Sequence, residues 1–242
     1  MAVERGLLLI ADIAGYTRFM EFHRTDLAHA QDVVARLLEA MIDAGPALRL
    51  VEVEGDAAFL YLPLRNGAGD ALGETVVRQA LAMHRAFHAC QQAIACLNTC
   101  PCQGCSQTQH LKVKFVAHVG DVAPQRVKQL TRLAGFDVIV VHRMLKNAVP
   151  VSEYLLMSEP LFTACGEPVR RDARSLEQEL EGVGRARAYY IDLATVAEPL
   201  PARPRITRNG QRRETWGVLV RTLPYVLGLR KPCAGFRNLT PA

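Results

Sequence analysis

The chain has 242 residues, half of them apolar, and a net charge of +5. That is room for one large domain, or a domain and a tail, with enough apolar side chain for a real core. No run approaches the roughly 20 apolar residues of a membrane span. Glu4 and Asp12 bracket an N-terminal apolar run too short for a signal peptide, so a cytoplasmic protein without a transmembrane segment is expected.

The charge is unevenly spread. Residues 200–242 hold nine Lys/Arg and one acid, which leaves the first 199 residues at a net −3. The basic balance therefore belongs to a tail and not to the core. The seven cysteines are odd in number and bunched, which argues against a secreted disulfide framework.

In chain order, Leu7 to Ile10 read as a buried strand that runs into Asp12 and a small turn at Gly15. Asp26 to Ala44 has helical character, with Leu27, Ala30, Val33, Val34, Leu37, Leu38 and Met41 at three- and four-residue steps, and Gly45-Pro46 stops it. Leu48 to Leu62 reads as two strands meeting at Gly55-Asp56, a hairpin with a carboxylate at its tip. Pro63 to Gly73 is a loop, and Glu74 to Ala95 a second long helix. Residues 96–109 interrupt the pattern. Leu111 to Val119 alternates Lys112 and Lys114 with apolar partners, a half-exposed strand, and a further strand covers Asp121 to Val127. Leu133 to Asn147 reads as a helix, Tyr154 to Met157 as a short strand, Pro160 to Cys165 as a short helix and Ala186 to Leu193 as a last strand. This alternation predicts an α+β fold, a ferredoxin-like βαββαβ sheet with helices on one face. Residues 1–199 make up the domain, with 96–109 as a Cys-rich insertion. Residues 200–242 make up a basic, Pro/Arg-rich C-terminal tail.

Two carboxylates carry the first hint of chemistry. Strand-Asp12, a helix, then strand-Gly55-Asp56-strand puts two acids on neighbouring strands, where they repel unless a cation sits between them. Oxygen-only ligands favour Mg²⁺ or Mn²⁺. Taken alone, Asp12 is as well explained as a turn cap.

Four motifs go further. Ala11-Asp12-Ile13-Ala14-Gly15-Tyr16-Thr17 resembles the metal-binding signature of the class III nucleotidyl cyclase (adenylate and guanylate cyclase) catalytic domain. Glu54-Gly55-Asp56 is similar to that family's second metal position, and Ala117-His118-Val119-Gly120-Asp121-Val122 to its later strand and turn. Gly135 to Met144 is similar to its transition-state helix. The motifs stand in the family's order and span most of residues 5–193. The resemblance implies a homodimer that forms a 3′,5′-cyclic nucleotide and pyrophosphate from a nucleoside triphosphate. It implies two divalent ions per site, held by Asp12, Asp56 and the Ile13 carbonyl. It also implies phosphates on the Gly15-Tyr16-Thr17 turn, base reading by Glu52 and Arg132, and Arg143 acting on the α-phosphate from the other subunit.

The departures matter as much. The family's ribose-orienting asparagine, four residues before the arginine, is Ile139, which cannot hydrogen-bond. Its triphosphate-binding lysine aligns with Glu181. Slow or altered activity is therefore expected. The alternative is a catalytically degenerate nucleotide-binding or regulatory dimerisation module. Glu52 and Arg132 either read a guanine edge or pair with each other and close the base pocket.

Cys96, Cys100, Cys102 and Cys105 fall within ten residues. They offer a structural Zn²⁺ site, free or redox-active thiols, or, more weakly, an iron–sulfur cluster. His84 and His88 share a helix face and offer ligands to a metal site; as lone histidines they are read, with His110 and His142, as ordinary polar residues. The tail mixes Trp216, Tyr225 and leucines with arginines. It reads as a segment that packs on its own domain or on a protein partner, or lies on an anionic membrane surface. The insertion offers a second surface for a protein partner. The tail carries no recognisable nucleic-acid module, so nucleic acid is not expected.

Overall fold

The strand that opens the chain is also the centre of the sheet. In the computed structural model, which describes residues 3–22, 27–64, 72–97, 107–197, 199–200, 212, 215–216, 219–220, 223–224 and 227–229, β1 spans Glu4–Ala14. Leu7 to Ala11 are wholly buried. β1 pairs antiparallel with β3 (Ala57–Pro63) on one side and β4 (Lys112–Val127) on the other. An apolar run without alternation suits a strand covered on both faces.

β2 (Arg49–Glu54) pairs with β3 across the Gly55-Asp56 turn. β5 (Leu130–Ala134) folds back on the end of β4. β6 (Tyr154–Ser158) runs parallel to β4, and β8 (Gly184–Asp192) and β7 (Arg174–Leu180) complete the order β2-β3-β1-β4-β6-β8-β7. The stretch β2-β3-β1-β4 is the strand order of a ferredoxin-like core, so the expected α+β class holds.

Two compact units make up the chain. One comprises residues 1–14, 40–86 and 112–199 and contains the whole sheet; the other comprises 15–39, 87–111 and 200–242. In the first, Leu8, Ile10, Phe59, Tyr61, Val116, Leu156 and Tyr190 form a core onto which α4 (Phe136–Met144) lays Val141 and Met144. The short helices α5 (Glu159–Thr163) and α6 (Glu167–Asp172) each carry Pro in their first turn, where the missing N–H costs nothing. α7 (Leu193–Val196) is capped by Asp192, whose Oδ1 accepts from Ala194 N at 3.0 Å.

The second unit holds α1 (Tyr16–Phe22), most of α2 (Leu27–Ala44), the last turns of α3 (Leu72–Leu97) and a 3₁₀ turn at Gln107–His110. Gln91 Nε2 donates to the carbonyls of Thr108 and Leu111, each at 2.8 Å, which ties α3 to that turn. Ala30, Val33, Val34, Leu37, Leu38 and Met41 of α2 are buried at the spacing the sequence shows.

The structure differs from the sequence reading in four places. β4 is one strand where two were expected, because Gly120 and Asp121 continue the ladder with β1. Leu133 belongs to β5, so α4 begins at Phe136, after Gly135. α6 and β7 fall in a stretch to which the sequence reading assigns no element. Asp12 lies inside β1 rather than at its end, paired with Ala57 and Lys114.

Candidate active site

The β1 register explains how the two aspartates meet. Asp12 faces Ala57, and Asp56 is the residue before it, at the hairpin tip. Gly55 takes φ +63°, a left-handed conformation that glycine adopts without penalty, so the tip turns sharply enough to present Asp56. Ile13 N donates to the Asp56 carbonyl at 3.1 Å and locks the tip to β1.

Burial pushes the Asp56 carboxyl up to about 6 from 3.8; the Asp12 charge and a hydrogen bond with Asp12 add to this, while Lys114 opposes it. Lys114 stands opposite Asp12 on β4, and its Nζ lies 3.0 Å from Asp12 Oδ2. Two acids and one ammonium leave a negative charge in a half-buried place. The donors are all oxygen, which fits a hard divalent cation such as Mg²⁺ or Mn²⁺.

Glu52, Arg132 and Arg143 lie in the same unit. Glu52 on β2 and Arg132 on β5 pair at 2.6 Å, so within one chain each is the other's partner. Arg143 on α4 donates to Glu181 Oε2 at 2.8 Å, and Lys146 stands 3.8 Å from the same oxygen. Ile139 and Phe136 lie exposed on α4, at 51% and 61%. In the second unit, Gly15 takes φ +88° and its carbonyl accepts from Phe19 N, which opens α1 at Tyr16 and Thr17. A cavity of about 250 Å³ there is lined by Gly15, Arg18, Phe19, Gln107, His110 and Leu111.

A buried relay ties α4 to the sheet. His118 Nε2 lies 2.9 Å from Asp137 Oδ1, and His118 Nδ1 lies 2.7 Å from Ser158 Oγ. A carboxylate only accepts, so Nε2 carries a proton and donates to Asp137, while Nδ1 shares a hydrogen bond with the Ser158 hydroxyl. Asp137 Oδ2 also accepts from Asp121 N at 2.6 Å.

The sequence profile of the family described as "Protein of unknown function (DUF2652)" matches residues 34–154, half of the chain. An "Uncharacterized protein Rv2561/Rv2562" of Mycobacterium tuberculosis is 43% identical over 206 residues, which cover 85% of this chain and 94% of that protein. The chain belongs to the DUF2652 family. Among solved structures, this DUF2652 chain resembles the guanylyl cyclase Cya2, with a TM-score of 0.61 and 15% identity over 78% of this chain and 92% of that one. The guanylate cyclase domain of RhGC from Catenaria anguillulae, solved in complex with GTP, gives 0.55 and 14% over 79% and 98%. The adenylyl cyclase CyaB from P. aeruginosa gives 0.53 and 13% over 79% and 95%. At such identities the likeness shows the fold. The DUF2652 chain has the fold of a nucleotidyl cyclase catalytic domain.

Of the cysteine cluster, Cys100, Cys102 and Cys105 lie outside the described residues. Cys96 is a half-buried free thiol near the end of α3. Lys114, Asp137 and Glu153 were not singled out in the sequence. Lys114 was visible only as one of two lysines in an alternating strand. Glu153 is buried, accepts from Val113 N at 3.2 Å and stands 3.5 Å from Lys112 Nζ and 3.6 Å from His84 Nε2. It stitches β4 to the residue before β6 and gives His84 a buried acidic neighbour.

Proposed function

We propose that this DUF2652 chain is a class III cyclase-type enzyme that binds a nucleoside triphosphate and forms a 3′,5′-cyclic nucleotide and pyrophosphate as a homodimer. The observation that carries the reading is the convergence of Asp12 and Asp56, with the Asp56 carboxyl pushed up to about 6 by burial and by its neighbour. Carboxylates forced together at some cost to ionisation suit a cation site better than a structural contact.

In this reading Asp12 and Asp56, with the Ile13 carbonyl, hold two divalent ions. When bound, they supply charge neutralisation on the phosphates and acidify the ribose hydroxyl. The remaining work is positioning. The Gly15-Tyr16-Thr17 turn directs N–H groups to the phosphates. Arg143 of one subunit offsets charge on the α-phosphate held by the other. The 3′-oxygen bonds to the α-phosphorus, the bond to the bridging oxygen breaks, pyrophosphate leaves with that electron pair, and the hydroxyl proton passes to solvent.

Exposed Phe136 and Ile139 beside Arg143 offer a second copy an apolar surface to cover. The Glu52–Arg132 pair must open for either residue to read a base. A second reading, a nucleotide-binding regulatory module without turnover, is favoured by Ile139 in place of the ribose donor and by Glu181 holding Arg143.

Purified protein incubated with Mn²⁺ and each of ATP, GTP, CTP and UTP, with products identified by mass spectrometry, tests the proposal. A cyclic product from at least one triphosphate, absent in Asp56→Ala, is expected. No product from any triphosphate, with a triphosphate still raising the thermal midpoint, would transfer the assignment to the regulatory module.

A further inference from the structure

The C-terminal tail lies outside the cyclase-type constellation, yet its described residues have a definite pattern. Residues 212, 215–216, 219–220 and 223–224 are helical. Leu227 N donates to Leu223 O at 2.9 Å, and Leu229 N to Pro224 O at 2.8 Å. Gly228 between them takes φ +69°. A six-to-one bond around a left-handed glycine is a Schellman stop, so the helix has a built end. Pro224 sits in its last turn, where its carbonyl serves that stop.

On a helical projection Trp216, Leu219, Val220, Leu223 and Leu227 fall within an arc of about 100°. All five are exposed, from 47% at Leu223 to 69% at Trp216. Single exposed apolar residues are ordinary; five described ones that share one side at helical spacing are not. The segment 200–242 also carries nine Lys/Arg against one acid. Among the described residues no helix is long and apolar enough to cross a membrane. The stripe is therefore suited to lying on a surface.

We propose that this helix docks on an anionic lipid surface, with Trp216, Leu219, Val220, Leu223 and Leu227 entering the headgroup boundary and the flanking arginines on the lipid phosphates. Charge and the apolar stripe together favour this occupant over a second copy of the tail and over a nucleic acid. A second copy of the tail would bring a net +8 against a net +8. A nucleic acid would meet the arginines and leave the apolar stripe in water. An anionic membrane satisfies both halves of the pattern.

Trp216 is the chain's single tryptophan, so its emission reports the helix directly. The full chain would be titrated with phosphatidylcholine vesicles, with and without phosphatidylglycerol, and pelleted with them. A blue shift and co-pelleting with the anionic vesicles alone are expected, weakened by high salt. Neutralising one basic side chain, as in Arg212→Ala, should weaken binding about fivefold. Leu219→Glu with Leu223→Glu should remove binding and leave the thermal midpoint unchanged, because both positions are exposed. No shift with anionic vesicles, or equal binding to neutral ones, would overturn the proposal. So would a shift that grows with protein concentration without lipid, which would assign the stripe to a second copy. A shift with duplex DNA and none with vesicles would assign the tail to nucleic acid and overturn it equally.

Discussion

Asp56 is the residue at which the fold and the proposed chemistry conflict most. The native chain holds its proton up to about pH 6, whereas the unfolded chain releases it near 3.8. Between those values the folded state binds more protons, so this group lowers stability as the pH rises from about 4 to about 6. Asp56→Asn removes that dependence. Without metal, the variant should be more stable than the parent at pH 7, by about 1–2 kcal/mol once partial exposure is allowed for. With Mn²⁺ the order should invert. The parent's thermal midpoint should rise with added metal, more strongly above pH 6 than below it, and the variant's should not. Thermal unfolding at pH 4.5 and pH 7, with and without Mn²⁺, reads both effects. Equal responses of parent and variant to Mn²⁺ would remove Asp56 from any cation site. The aspartates themselves were legible in the sequence, since each sits in a local pattern, strand-Asp and Gly-Asp. Lys114 was not, because its pairing with Asp12 depends on cross-strand register, which no local pattern specifies. The Arg143–Glu181 pair was hidden because it joins a helix to a turn 38 residues further on.

At the scale of elements, α4 is the piece whose position decides the most, since it carries Ile139 and Arg143 in the proposed site. Packing of Val141 and Met144 sets its distance from the sheet. Its start is fixed by Asp137, which accepts from Asp121 N and from His118, itself joined to Ser158 on β6. Asp137→Ala leaves a buried imidazole N–H without an acceptor and should cost about 1–3 kcal/mol, read as a lower urea midpoint. Asp137→Asn keeps an acceptor oxygen and should recover part of the loss. If both variants match the parent, the relay does not hold α4. Elements with strong local signals were read correctly: the apolar β1, the Gly55-Asp56 hairpin and the periodic α2 and α3. β7 was missed because Arg174 to Leu180 is mostly polar, with only two apolar residues and two Glu, a residue depleted in strands. Its place at the end of the sheet order explains them, since a charged outermost strand resists pairing with other chains.

Whether one molecule or two make a site is a question for the whole assembly. In the single chain Arg143 is held by Glu181, on the short turn between β7 and β8. The proposed reaction needs that pair to open and Arg143 to meet a phosphate bound at another subunit's Asp12 and Asp56. Such sharing has an arithmetic signature. Asp12→Ala and Arg143→Ala should each lower turnover about 10²–10³-fold as homodimers. Mixed in equal amounts and allowed to exchange, half the dimers carry one copy of each variant. Each such dimer has one site with both residues and one with neither, so the mixture should regain about a quarter of the parent's rate. If Arg143 instead served its own chain's aspartates, every site in the mixture would lack one residue and nothing would return. A quarter of the rate therefore assigns Arg143 to the partner's substrate. No return, with exchange of subunits confirmed by differently tagged copies, assigns it to its own chain and separates the dimer from the chemistry.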